Sequence, residues 1–233
     1  MGHFVSTAVQ PPLLTEFLSK MTDAASSQVS RRVREALTTV YHTFNVPAPS
    51  IIEGCPCCIS TRNTDVLLTT PLREITGQAL WRYVSGVFLT IGDEKDFRYL
   101  LPRILEVSAF DPENANNPEI ALGKLSLAGW RSWLPQEQRV IEQFVDAWFE
   151  QALASDLADA DEGWVGEKAE SVLCGAARAG MALDHWLIRL SAPAAAPVLA
   201  DMQRRYPREL SSFWDYAPSG LQQLSTILIR GTA

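Results

Sequence analysis

Apolar side chains recur at three- and four-residue steps along nearly the whole chain, the period of one face of an α-helix. Val29, Val33, Ala36, Leu37, Val40 and Phe44 form one stripe and predict a helix of about five turns. Leu80, Val84, Val87, Phe88 and Ile91 predict a second, stopped by Gly92, with Asp93 placed to cap the next. Phe97, Leu100, Leu101, Ile104, Leu105 and Ser108 hold one helical phase across Pro102. That proline removes a hydrogen bond without shifting the phase, so a kinked helix or two abutting helices is expected. Asn117-Pro118 and Pro135 open further helices, the latter with Val140, Ile141, Phe144, Val145, Trp148, Phe149 and Ala152 inward. Its Glu137, Glu142, Asp146 and Glu150 are expected to face outward. Ala169, Val172, Leu173 and Ala176, then Leu183, Trp186, Leu187 and Leu190, continue the pattern, and further segments open near Pro197, Pro207 and Pro218.

Period-two alternation is nearly absent. Only Val66-Leu67-Leu68-Thr69 suits a short strand, and it suits a turn-to-helix junction equally well. The pattern therefore predicts an all-α fold of roughly nine to eleven helices. Short connections favour antiparallel helix pairs, and pairs near 117–153, 163–191 and 196–230 recur at about 40 residues. A HEAT-like α-superhelix and an irregular helical bundle both fit that spacing. One domain over 1–233 is expected, with the acidic stretch 154–162 as its softest internal boundary.

Charge narrows the function classes. Twenty Lys and Arg against 27 Asp and Glu leave a formal charge of −7. Nucleic-acid binding needs concentrated positive surface, so none is expected, and Arg31, Arg32 and Arg34 read as a solvated helix face. No stretch nears the roughly 20 apolar residues of a membrane span, and residues 1–6 lack the features of a secretory signal. A cytoplasmic protein with reduced thiols is the expectation.

One segment carries candidate chemistry: Gly54-Cys55-Pro56-Cys57-Cys58. Pro56 at a helix start would put Cys55 where the positive helix end stabilises a thiolate, and Cys55 and Cys58 could close a disulfide across one turn. Alternatively, Cys55, Cys57 and Cys58 with Cys174, His42 or His185 could supply four zinc ligands, although a distant fourth ligand must be assumed. Plain packing of small apolar thiols is the third reading. A second candidate is a polar stripe on the predicted helix after Gly92. Asp96, Tyr99, Arg103 and Glu106 fall at steps of three and four, with Arg98 and Arg103 as possible anion contacts. A solvated or buried salt-bridged face accounts for the same spacing. No nucleotide-binding loop, serine-hydrolase elbow or zinc-protease motif is present. Seven tryptophans fall mostly on or beside the apolar stripes, where core packing is their default role.

The run from Glu53-Gly54-Cys55-Pro56-Cys57-Cys58 through Pro71-Leu72-Arg73-Glu74 to Asp96-Phe97-Arg98-Tyr99-Leu100-Leu101-Pro102-Arg103 resembles a set of uncharacterised bacterial proteins. These pair a CPCC element with a DFRY-x-LPR element over about fifty residues. The resemblance implies a bacterial cytoplasmic setting and no particular catalysis. The residues together lead to the expectation of a non-enzymatic helical scaffold, without a cofactor, that binds a protein partner or assembles with itself. The alternative is a thiol-redox or zinc protein centred on the CPCC loop.

Overall fold

Helix starts in this chain are set by local hydrogen-bonding chemistry. Thr76 accepts from the Ala79 N–H, and Asp93 caps the backbone of Lys95 and Asp96 while Asp96 reaches back to the Asp93 N–H. Prolines open four other helices, where a missing N–H leaves no bond unmade. The computed structural model describes residues 12–55, 64–161 and 167–229, with side chains over 27–55, 64–160 and 167–229. Among the described residues the fold is all-α: α1 (Pro12–Thr43), α2 (Thr64–Thr69), α3 (Gly77–Gly86), α4 (Glu94–Phe110), α5 (Pro118–Leu127), α6 (Pro135–Asp161), α7 (Lys168–Arg178), α8 (Asp184–Leu190), α9 (Ala196–Arg205) and α10 (Pro218–Leu228). Residues 66–69 are helical, in α2, rather than a strand. No described helix is long and apolar enough to cross a membrane.

The boundaries differ from expectation in several places. Helix α1 starts at Pro12 and runs for 32 residues rather than about five turns. Residues 206–211 form a turn rather than a helix opening near Pro207. The helix predicted through Ile91 ends at Gly86. Residues 87–91 instead turn back on themselves, with Phe88 at φ +64° and its N–H donating to the Ile91 carbonyl. Of the two arrangements expected at Pro102, a single helix rather than two abutting ones is found: α4 runs from Glu94 to Phe110. The acidic stretch expected as a soft boundary is helical to Asp161, and Asp156 is fully buried, capping α7 through the N–H groups of Lys168 (3.3 Å) and Ala169 (2.8 Å).

Packing follows burial more than chain order. Helix α1 lies antiparallel along α6. Arg32 faces Asp146 at 4.0 Å, and the Phe44 ring meets Trp133, just before α6 begins, at 5.8 Å. Helix α5 packs chiefly on α7 rather than on its neighbour α6, and α6 and α7 pack on each other. Helix α8 runs alongside α6 in the same direction, with His185 near Asp146 and Arg189 paired to Glu150. The expected inward set on α6, from Val140 to Ala152, is buried throughout. Glu137 is not outward as expected. It is buried, pairs with Arg98 and accepts from the Leu134 N–H.

The α5–α7 contact depends on a missing side chain. A β-carbon on Gly175 would meet the Pro118 carbonyl oxygen at 2.7 Å and Leu122 Cδ1 at 2.9 Å. The oxygen belongs to a helix start and cannot swing aside. Gly175→Ala is therefore expected to lower the unfolding free energy by about 1–3 kcal/mol, read as a lower urea midpoint at unchanged slope. An unchanged midpoint would show that the two helices have slack at this crossing.

Candidate functional site

An open concavity lies where residues 51–55 meet the turn after α3. The Cys55 N–H donates to the Thr90 carbonyl (2.9 Å), the Gly92 N–H donates to the Glu53 carbonyl (2.7 Å), and Gly54 bridges Ile91 in antiparallel fashion. A β-carbon at Gly54 would sit 2.7 Å from Ile91 Cγ2 and 3.0 Å from the Thr90 carbonyl oxygen, so the two backbones approach this closely only through glycine. The result is an open cleft of about 1030 Å3. Ile51, Leu89 and Leu127 line it with large exposed apolar side chains, and Glu53, Asp93 and Glu94 supply its charge. Cys55 stands exposed at its edge. Cys57 and Cys58 lie outside the described residues.

Directly beneath the turn, Asp96 is buried. Its Oδ2 accepts from the Tyr83 hydroxyl at 2.5 Å and its Oδ1 from the Asp93 N–H at 2.9 Å. Burial pushes the Asp96 carboxyl up to about 6, against the hydrogen bond from Tyr83, which favours the charged form. The Tyr83 hydroxyl is pushed well above its ordinary value by its own burial and then by the neighbouring carboxylate.

The polar stripe does not form one face. Asp96 and Tyr99 are buried, and Asp96 serves the cap and the turn. Arg98 points elsewhere. It pairs with Glu137 and Glu94, and its guanidinium lies over the Trp133 ring at 4.6 Å. Arg103 and Glu106 form a third group. Arg103 Nη1 donates to Glu106 Oε2 (2.7 Å), Arg103 Nε donates to the Ile75 carbonyl (2.8 Å), and the Tyr41 hydroxyl donates to the same Glu106 oxygen (2.5 Å). Burial and the Glu106 hydrogen bond raise the Tyr41 hydroxyl above its ordinary value.

The remaining thiol and imidazole candidates are dispersed. Cys174 is buried in α7, and burial together with the nearby Glu119 and Glu170 pushes its thiol far up, which suits packing rather than reactivity. His42 is exposed near the end of α1, and His185 is exposed on α8, its ring tilted against that of Trp186 at a centroid distance of 4.1 Å. Among the described residues no three His, Cys, Asp or Glu side chains are arranged to hold a metal ion.

Sequence periodicity missed a buried ionic group in the C-terminal half. Arg205 pairs with Glu170 and with Asp201 (2.7 Å), all three nearly inaccessible to solvent. Burial opposes the Arg205 charge, and the bonds to Glu170 and Asp201 outweigh it, so its pKa is raised. Glu170 Oε1 also accepts from the Ser211 N–H (2.7 Å) and Trp214 Nε1 (3.1 Å), and Ser211 Oγ reaches Glu119 Oε1 (2.9 Å). These bonds tie α5, α7 and α9 together, although Glu119 Oε2 and Arg205 Nη2 stay buried without a hydrogen-bond partner among the described residues.

Set against known proteins, the chain matches no family model, no curated protein and no solved structure. Function is therefore read from the geometry of the cleft. Ile51, Leu89 and Leu127, which define it, were not legible in the sequence because they lie on no shared helical face. The available signal was apolar residues falling at a loop, a turn and a helix end.

The Asp96 site sets a pH dependence. An unfolded aspartate titrates near pH 4, so between about 4 and 6 the folded chain holds a proton that the unfolded chain has released. The contribution of Asp96 to stability is full below pH 4 and is lost as pH rises through 6. The unfolding free energy of the native chain minus that of Asp96→Asn is expected to fall by roughly 2–3 kcal/mol from pH 4 to pH 7, measured by urea titration at each pH. A difference that stays flat would place Asp96 in water.

Proposed function

We propose that the chain is a non-enzymatic cytoplasmic scaffold that holds a protein partner in the cleft between residues 51–55, the 88–91 turn and the end of α5. The observation that carries this reading is the meeting of Ile51, Leu89 and Leu127, 62, 68 and 54 % exposed, in one concavity. Single exposed apolar residues are ordinary, but three large ones gathered within a polar rim are the mark of an interaction surface.

Charge selects the partner. Among the described residues, the charged side chains lining the cleft are Glu53, Asp93 and Glu94, all acidic. A second copy of the chain would bring the same carboxylates against them, in a protein already at −7. The partner that fits is an apolar segment flanked by lysines or arginines, such as an amphipathic helix laid into the groove.

The probe is a fluorescent amphipathic peptide of leucine and lysine, with a leucine and glutamate peptide as its control. The lysine peptide is expected to bind with an affinity that Leu89→Ser with Leu127→Ser weakens by about tenfold or more, read by anisotropy. The glutamate peptide is expected not to bind. Equal affinity for both peptides, or no loss in the double variant, overturns the reading. Self-association of the native chain that the double variant abolishes would instead assign the cleft to a second copy.

A further inference from the structure

Three arginines from separate parts of the chain meet around one cavity of about 300 Å3. Arg34 comes from α1, Arg73 from the single turn Leu72–Glu74, and Arg103 from α4. The cavity shares no lining residue with the apolar cleft, so a ligand bound there is independent of the partner-binding reading.

The acids on its wall are already engaged. Glu106 Oε2 accepts from both Tyr41 and Arg103, and Asp111 accepts from Asn114 Nδ2 at 2.9 Å. Arg34 and Arg73 are placed differently. The Arg73 guanidinium lies over the Tyr41 ring at 3.6 Å from its centroid, and that of Arg34 lies over Phe110 at 5.0 Å. Among the described residues neither pairs with a carboxylate. Stacking on a ring fixes the plane of a guanidinium and leaves its edge N–H groups available for an oxyanion. Three guanidinium groups against the two carboxylates of Glu106 and Asp111 leave the cavity with a net positive charge, which a bound anion answers. Leu37, Val107 and Phe110 give the same cavity an apolar wall.

We propose that this cavity is a binding site for a small phosphomonoester. The phosphate sits on the edges of Arg34 and Arg73, with Arg103 held beside it by Glu106 and the Ile75 carbonyl. The organic group lies against Leu37, Val107 and Phe110. A phosphomonoester carries close to two negative charges at neutral pH and three acceptor oxygens, matching two unpaired guanidinium forks better than a single carboxylate does. The cavity is also larger than a bare phosphate requires, and its apolar wall has no use for one. A nucleic-acid strand is a poor fit, since a hollow with three arginines in a protein at −7 does not make the extended positive surface a strand needs.

Calorimetric titration with phenyl phosphate, inorganic phosphate and benzoate tests the assignment on the full chain. Phenyl phosphate is expected to bind with a Kd below roughly 1 mM at moderate salt, and at least about tenfold tighter than either of the others. Arg34 and Arg73 are both exposed, so Arg34→Gln and Arg73→Gln should fold normally, checked by circular dichroism and thermal midpoint. Each is expected to weaken phenyl phosphate by about tenfold, and Phe110→Ala to narrow its advantage over inorganic phosphate. Equal affinity for phenyl phosphate and inorganic phosphate overturns the ester assignment. Absence of binding, or binding unchanged in a folded Arg34→Gln/Arg73→Gln double variant, overturns the site.

Discussion

Helix α6 buries side chains around roughly 240° of its circumference, from Ala147 through Val140, Phe144, Trp148 and Phe149 to Leu153. A helix apolar on so wide an arc cannot rest on one neighbour, because a single partner covers only a stripe. It must be enclosed from several sides, and α1, α7, α8 and α9 do so in different directions. This requirement explains why helices adjacent in sequence are not always the ones that pack: α5 makes its main contact with α7 while α1 crosses the molecule to cover α6. The narrow residues at the crossings, Gly175 above all, then permit backbones to approach where larger side chains would hold them apart.

Enclosure of that kind forces polar groups inward, and the fold answers them locally. Asp156 is buried, and its carboxylate satisfies two N–H groups at the start of α7. Glu170, Asp201 and Arg205 form a buried ionic group, and Ser211 and Trp214 donate to the Glu170 oxygen that Arg205 leaves free. Such groups fix which elements meet more than they add net stability. They differ from the arginine cavity, where Arg34 and Arg73 rest on aromatic rings and their charges are not answered by carboxylates within the described structure. The same contrast separates the acidic cleft from the basic cavity, two surfaces of opposite sign in a chain whose overall charge is −7.

The helical fold was legible from the chain alone. The stripes on α4, α6, α7 and α8 appear in the structure as buried positions, and Asp93, Asn117 and Pro135 stand at or beside helix starts. These features depend on contacts between residues three or four apart and on hydrogen bonds within one turn, which sequence spacing records directly. The candidate site was less legible. Cys55 was singled out for its thiol and stands at the cleft, but beside Ile51, Leu89 and Leu127, which no periodicity joins. Arg103 and Glu106 were grouped with Asp96 and Tyr99 by spacing along one helix, yet Asp96 turns to Tyr83 while Arg103 and Glu106 turn to Tyr41. Arg34 had the look of an ordinary solvated residue, and Arg73 belonged only to a motif.

What the sequence by itself determined was where several of the helices begin, which side of each is apolar, and that no sheet is required, because those properties are local. The tertiary structure alone decided that helix α3 stops at Gly86, that Glu137 and Asp156 are buried, and that arginines at 34, 73 and 103 share one hollow. Each of those outcomes depends on which distant surface comes to rest against the residue. That is set by burying apolar area over the whole chain at once, and no pattern within a single helix contains it.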